Sequence, residues 1–220
     1  MNGKADILHR LRNEILNLEL KPGTILSETV LSERFQLSRT PLRDILKQLA
    51  HEGYIHVYPK RGNVVSYIDL ESVEQIIYLR STLEKELIKN LASQQSPLSI
   101  QGVMKLNEIL SRQEACIQQE DAHAAFLQLD DQFHKGLFEW AGRGFLWELI
   151  QQSNAHYERY RRLHMLQKEK LKVILAEHRS ILSCITERRI EPIDELVIHH
   201  LREDIHTPYL RENFAEYLKT

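Results

Sequence analysis

Only two cysteines occur in 220 residues, Cys116 and Cys184, and they form no C-x-x-C pair. A disulfide framework and a thiolate zinc site are therefore not expected. No apolar run approaches the roughly 18 residues that a membrane span requires. The N-terminal stretch MNGKADILHRLRNEIL mixes charge with apolar residues where a signal peptide would have an uncharged core. The chain is thus expected to be cytoplasmic, with no membrane partner. Glycine and proline are scarce, 8 and 6 residues, which argues against disorder, and 42% apolar content suffices for a real core. No internal repeat or low-complexity tract is visible.

The net charge of −2 hides an asymmetry. Residues 1–68 carry ten Lys/Arg against seven Asp/Glu, a surplus of three positive charges, and the remainder carries nineteen against twenty-four. A basic module joined to an acidic one suits a DNA-reading head on a body with another task.

The periodicity divides the chain at the same place. Residues 4–19 put Ile7, Leu8, Leu11, Ile15 and Leu18 on one helical face. Lys21-Pro22-Gly23 ends that helix. Ser27 opens a short second helix, and Ser38 opens a third over Arg39 to Glu52 with Leu42, Ile45, Leu46 and Leu49 inward and Gly53 as its stop. Two extended runs, 54–58 and 64–67, flank a basic turn of five residues from Pro59 to Asn63, which predicts a hairpin. Three helices and a hairpin make a winged helix-turn-helix over 1–68. From Asp69, a candidate cap, onward the pattern predicts an all-α six- or seven-helix bundle over 69–220. Its helices are expected at 70–94, 98–119, 122–141, 144–166, 168–189 and 192–205, with a short tail helix near 208–219. The fold class is mainly α.

The run Leu26-Ser27-Glu28, Leu31-Ser32, Ser38-Arg39-Thr40-Pro41-Leu42-Arg43, Leu46, Leu49, Glu52-Gly53 and Arg61-Gly62 strongly resembles the N-terminal signature of the GntR family of bacterial regulators. The chemistry agrees. A recognition helix enters the major groove N-terminus first, so its first turn must carry the groups that reach the DNA. Arg39 and Arg43 share a face, and an Arg fork can grip guanine O6 and N7. Ser38 and Thr40 can bond phosphate beside the positive helix end. Pro41 sits in the first turn, where its missing N–H costs nothing. The resemblance implies that Lys60, Arg61 and Gly62 enter the minor groove. Thr29, on the preceding helix, stands where many relatives carry a basic residue.

In the body, Asp130-Asp131-Gln132-Phe133-His134-Lys135-Gly136-Leu137, Glu177-His178-Arg179-Ser180-Ile181-Leu182 and Tyr78-Leu79-Arg80-Ser81-Thr82-Leu83-Glu84 resemble the FadR-like branch with its FCD domain. Asp130 and His134 are four apart and share a helical face. His178 and His200 lie 22 residues apart across a turn, so antiparallel helices would bring them to similar height. The resemblance implies that Asp130, His134, His178 and His200 hold a divalent ion. Imidazole plus carboxylate suits Zn²⁺ first, with Ni²⁺ or Mn²⁺ as alternatives. His199 lies about 100° around the helix from His200, so one of the two faces inward. His9, His51, His56, His123, His164 and His206 are expected to be ordinary surface or core residues.

Arg80 has two readings. It either pairs with Glu84 one turn on, or, as the resemblance implies, points into the bundle to hold a carboxylate beside the metal. Asn154 and Tyr157, with His156 and Arg161, are candidates to line the same cavity. Trp140 and Trp147 are expected in the core or an interface. The function expected from all this is a homodimer on palindromic double-stranded operator DNA, a repressor released by a small organic acid. Two alternatives stay open: a metal-dependent enzyme with a DNA-binding head, and a regulator whose metal is structural or is itself the signal.

Overall fold

The computed structural model describes residues 3–119, 122–164, 168–202 and 208–219. It divides into two compact units, one of Met1–Val73, Gln152–Arg161 and Pro208–Thr220, the other of Glu74–Gln151 and Arg162–Thr207.

The first unit begins with α1 (Lys4–Leu16), whose Ile7, Leu11 and Ile15 are buried. The helix is three residues shorter than its periodicity suggested. Asn17 caps it and Leu18 turns the backbone to φ 61°, so Leu16 fills the core and Leu18 does not. Gly23 follows at φ 83°, a left-handed backbone that strains any other residue, and a Cβ there would also have to displace the Tyr67 hydroxyl, 2.7 Å away. Its N–H donates to Val65 O at 2.9 Å and starts a strand that the sequence pattern did not reveal, β1 (Ile25–Leu26).

Ser27 opens α2 (Glu28–Phe35), its hydroxyl accepting from Val30 N. Ser38 opens α3 (Arg39–His51), with Leu42, Ile45, Leu46 and Leu49 all buried as the pattern requires. Gly53, at φ 83°, turns the chain into β2 (Ile55–Tyr58), which pairs antiparallel with β3 (Gly62–Val65). Tyr58 faces Gly62, so the hairpin loop is the three residues 59–61 rather than five. The sheet order is β1-β3-β2, giving the wing three strands. Leu26, Leu31, Ile55 and Val65 close the core over α1 and α3. Each such side chain contributes about 1.5–3 kcal/mol on burial.

Asp69 accepts from the N–H groups of Glu71 and Ser72, capping α4 (Leu70–Ser93) as expected. The expected helix over 144–166 is two helices, α7 (Gly144–Gln152) and α8 (Ala155–His164). Its last residues, 165–166, lie outside the described ones. Residues 155–161 of α8 belong to the first unit, where Ala155 enters the core and the Tyr54 hydroxyl donates to Glu158 at 3.2 Å. Arg159 is fully buried, and its Nη1 donates to Ser66 O at 2.7 Å. Burial lowers its pKa to about 10. Helix α11 (Pro208–Asn213) and a 3₁₀ turn (Ala215–Tyr217) end the chain, and Lys219 Nζ donates to Asp69 at 2.7 Å.

The second unit packs α4 with α5 (Ile100–Ile117), α6 (Ala122–Trp140), α7, α9 (Lys168–Thr186) and α10 (Ile193–Arg202). Helices α5 and α6 approach closely at Gly102, where a Cβ would meet the Trp140 ring at 2.6 Å. Helix α9 ends without glycine. Arg188 takes the left-handed conformation at φ 58° while Arg189 N closes back on Cys184 O at 2.9 Å. Helix α10 was expected to reach 205, of which 203–205 lie outside the described residues, as does His206. Among the described helices none is long and apolar enough to cross a membrane.

Candidate functional site

The first unit presents an exposed polar edge. Ser38, Arg39, Thr40 and Arg43 are all exposed at the start of α3, and Thr29 is exposed on α2. The Ser38 hydroxyl makes no capping bond to its own helix. At the wing tip Lys60, Arg61 and Gly62 are exposed, with Lys60 and Gly62 in the left-handed region at φ 72° and 80°. One partner carries no role in the sequence reading: Arg43 Nε donates to Glu28 Oε2 at 2.9 Å. Glu28 lies in the Leu-Ser-Glu motif itself, so its position was visible although its role was not.

The second unit buries a polar cluster. Helix α6 carries Asp130 and His134 one turn apart, α9 carries His178 and α10 carries His200. One donor atom from each of these four residues lies within 4.8 Å of all the others. The convergent atoms are specific. His200 Nε2 is 3.2 Å from His134 Nε2, His178 Nε2 is 3.4 Å from Asp130 Oδ1, and His134 Nε2 is 3.7 Å from Asp130 Oδ2.

The far side of each ring explains this convergence. His200 Nδ1 pairs with Glu177 Oε2 at 2.8 Å, and His178 Nδ1 with Gln113 Oε1 at 3.0 Å. The Glu84 carboxylate stands 2.8 Å from His134 Nδ1, although the two are not aligned as a straight hydrogen bond. An oxygen beside each Nδ1 can accept a proton there, an arrangement in which Nε2 is the atom offered to an ion. Burial, then the neighbouring His200, pushes the His178 imidazole well below its ordinary pKa, so the ring is neutral. Burial tends to raise the Glu177 carboxyl, but the bonds from His200 and His199 outweigh it and the pKa is lowered.

These residues fit a divalent ion. The Nε2 atoms of His134 and His200 face each other across 3.2 Å. Metal–nitrogen bonds of about 2.0–2.1 Å set two nitrogens about 3–3.4 Å apart. His199 is exposed and also pairs with Glu177, at 2.7 Å, so His200 is the inward member of the pair.

Arg80 shows the ion pair that was one of its two readings. Its Nε donates to Glu84 Oε1 at 2.8 Å, and each side chain is 1% exposed. The guanidinium also lies 5.5 Å from the centre of the buried Trp147 ring, which stacks at 6.3 Å on His134. Asn154 and Tyr157 are buried in the first compact unit, whereas the four converging residues lie in the second. Sequence reading missed Gln113 and Glu177 as partners of the rings. Glu177 adjoins His178 in sequence, but Gln113 is 65 residues away and carries no charge to draw notice.

Comparison with known proteins follows the same division. Residues 4–65 match the family described as bacterial regulatory proteins of the gntR family, and residues 75–203 match the FCD domain. The chain is 33% identical over 199 residues to an uncharacterized HTH-type transcriptional regulator in an unstable DNA locus of Streptomyces ambofaciens, covering 90% of this chain and 82% of that one. It is 28% identical to the HTH-type transcriptional repressor RspR of Escherichia coli, over 88% of this chain and 83% of the repressor. Among solved structures, E. coli McbR/YncC has the same fold, with a TM-score of 0.70 at 18% identity over 96% and 98% of the two chains. These matches are to transcriptional regulators, which removes the metal-dependent enzyme from consideration.

Proposed function

The chain belongs to the GntR family of bacterial regulators and carries an FCD domain, and from that premise we propose that it is a metal-containing repressor released from its operator by a small organic acid. As a member of that family it is a DNA-binding transcriptional regulator, and the proposal concerns how it reads DNA and what it senses.

Two heads in a homodimer would read two half-sites of a palindrome. Arg39 and Arg43 reach base edges, Ser38, Thr40 and Thr29 bond phosphate, and Lys60, Arg61 and Gly62 enter the minor groove. The exposure of all eight residues supports this assignment. That RspR, a relative, bears the name of a repressor supports the direction of control.

Asp130, His134, His178 and His200 would hold the ion, with Zn²⁺ the first choice and Ni²⁺ or Mn²⁺ the alternatives. The single observation that carries this reading is the convergence of their four donor atoms within 4.8 Å inside the helical unit. A bound divalent ion supplies an electrophile to which a carboxylate can add. Arg80, buried beside Glu84 and Trp147, supplies positive charge to the same interior and is the effector contact we assign. The acid can shift the protein only as far as it prefers the DNA-free arrangement.

The test is fluorescence anisotropy with duplex DNA from upstream of the protein's own gene. Zinc-loaded protein is titrated onto the DNA and then challenged with acetate, malate and citrate. Release by at least one acid, abolished in His134→Ala, is the expected result. A complex, and a melting temperature, indifferent to every acid would instead make the ion structural or the signal itself.

A further inference from the structure

The three rings that converge in the helical unit are not backed alike. Carboxylates stand behind His134 and His200, contributed by Glu84 and Glu177, whereas a neutral amide, Gln113, stands behind His178. The difference matters because a carboxylate can only accept a hydrogen bond while an amide carries both an acceptor and a donor. Beside His134 and His200, Glu84 and Glu177 can therefore only accept. A half-turn of the Gln113 amide exchanges its oxygen for its nitrogen at the same place.

Gln113 is free to make that turn. It is fully buried on α5, and its Nε2 group finds no hydrogen-bond acceptor among the described residues. Turning it forfeits the bond at His178 Nδ1 in one sense and restores it in the other, so the number of hydrogen bonds is conserved. With the proton moved to Nε2, His178 faces Asp130 Oδ1, 3.4 Å away, as a donor to a carboxylate. With the proton on Nδ1, Nε2 presents a lone pair to an ion. The neutral ring has an acceptable arrangement in both states.

We propose that Gln113 is a positioning residue that lets His178 change tautomer, so that the four-residue centre relaxes when its ion leaves and binds the ion exchangeably. This rests on the metal-binding reading above. The chemistry is a proton moving from Nδ1 to Nε2 of one imidazole through solvent exchange, with no change in charge. An acidic residue at position 113 would forbid it, and an apolar one would remove its support in both states.

The experiment uses the full chain labelled with ¹⁵N-histidine, stripped with a chelator and then given one equivalent of Zn²⁺. Two-bond proton–nitrogen correlations distinguish Nδ1–H from Nε2–H rings, and a His178→Gln sample identifies the signal. The expected result is His178 protonated on Nε2 without Zn²⁺ and on Nδ1 with it, while His134 and His200 carry Nδ1–H in both. A His178 ring with Nδ1–H in both states overturns the proposal and leaves metal binding intact. Failure of the wild-type chain to bind Zn²⁺ overturns the metal reading itself, and the proposal with it.

Zn²⁺ competition with a coloured chelator gives a second readout. Gln113→Glu is expected to bind at least about tenfold tighter and Gln113→Leu about tenfold weaker, the scale on which such outer partners act. Equal shifts in the same direction would mark Gln113 as mere packing. If either variant fails to fold, the wild-type spectra decide.

Discussion

Glu84→Gln tests the interior of the helical unit with the smallest possible change, since it preserves shape and removes one charge. Glu84 Oε1 takes the Arg80 Nε–H at 2.8 Å, and Oε2 stands 2.8 Å from His134 Nδ1. Both Arg80 and Glu84 are 1% exposed, so water does not screen the pair. Removing one member of such a pair costs about 3–5 kcal/mol, largely because a charge stays buried without its counterpart. In a chain of this size each kcal/mol moves the melting temperature by roughly 2–4 °C. The chelator-treated variant should therefore melt roughly 6–20 °C below the wild type. Its amide oxygen can still face His134 Nδ1, so Zn²⁺ affinity should fall by no more than about tenfold. Glu84→Leu loses that oxygen as well and should approach a hundredfold loss. Pairing it with Arg80→Met should restore most of the stability, since apolar replacement of a whole buried pair is often neutral, yet leave the affinity low. Calorimetry in chelator and competition with a coloured chelator read the two effects separately. A melting point within about 2 °C and an affinity within twofold for Glu84→Gln would refute the reasoning.

The DNA-facing residues give two further expectations. Arg39→Ala and Arg43→Ala should each cost about 1–3 kcal/mol on the preferred duplex and relax base preference, as read by selection from randomised DNA. Unchanged preference would remove them from base reading. Arg61→Ala, which withdraws a cation from the minor groove, should weaken binding and lower the slope of log affinity against log salt by about one, because one counter-ion fewer is released; an unaltered slope would take the wing tip out of the groove. Acid stability supplies another. The bond from Lys219, aided by the N–H groups of Ser72 and Glu71, lowers the Asp69 carboxyl pKa despite some burial. A lowered carboxyl contributes stability that is complete above its ordinary range near pH 4 and is lost as pH falls through its folded value. Asp69→Asn should therefore lose more stability at pH 6 than at pH 2.5 in urea titrations, and a deficit that is constant across that range would contradict the sign.

The sequence disclosed the parts of this protein that repeat with a physical period. Leu42, Ile45, Leu46 and Leu49 recur at helical spacing, and all four are buried. Asp130 and His134 could be paired because four residues make about one turn. What it concealed lacks a period. Strand β1 is two residues long and borrows its pairing from β3, so neither alternation nor composition marks it. The break between α7 and α8 has no glycine or proline, yet Ser153-Asn154 are residues that favour helix starts and offered a clue. The partners behind the three rings depend on helices meeting in space. Arg80 and Glu84 could be joined by spacing, but their further link to His134 could not, nor could Gln113 be placed behind His178 before α5 met α9.

The central claim is that the helical unit holds one divalent ion on Asp130, His134, His178 and His200. Elemental analysis of the purified full chain after exposure to equimolar Zn²⁺, Ni²⁺ and Mn²⁺ and extensive dialysis measures it directly. The account predicts close to one ion per chain in the wild type and a loss of most of it in His134→Ala and in His178→Ala, with both variants still folded by circular dichroism. A wild-type chain that retains no ion, or variants that retain as much as the wild type, would contradict it.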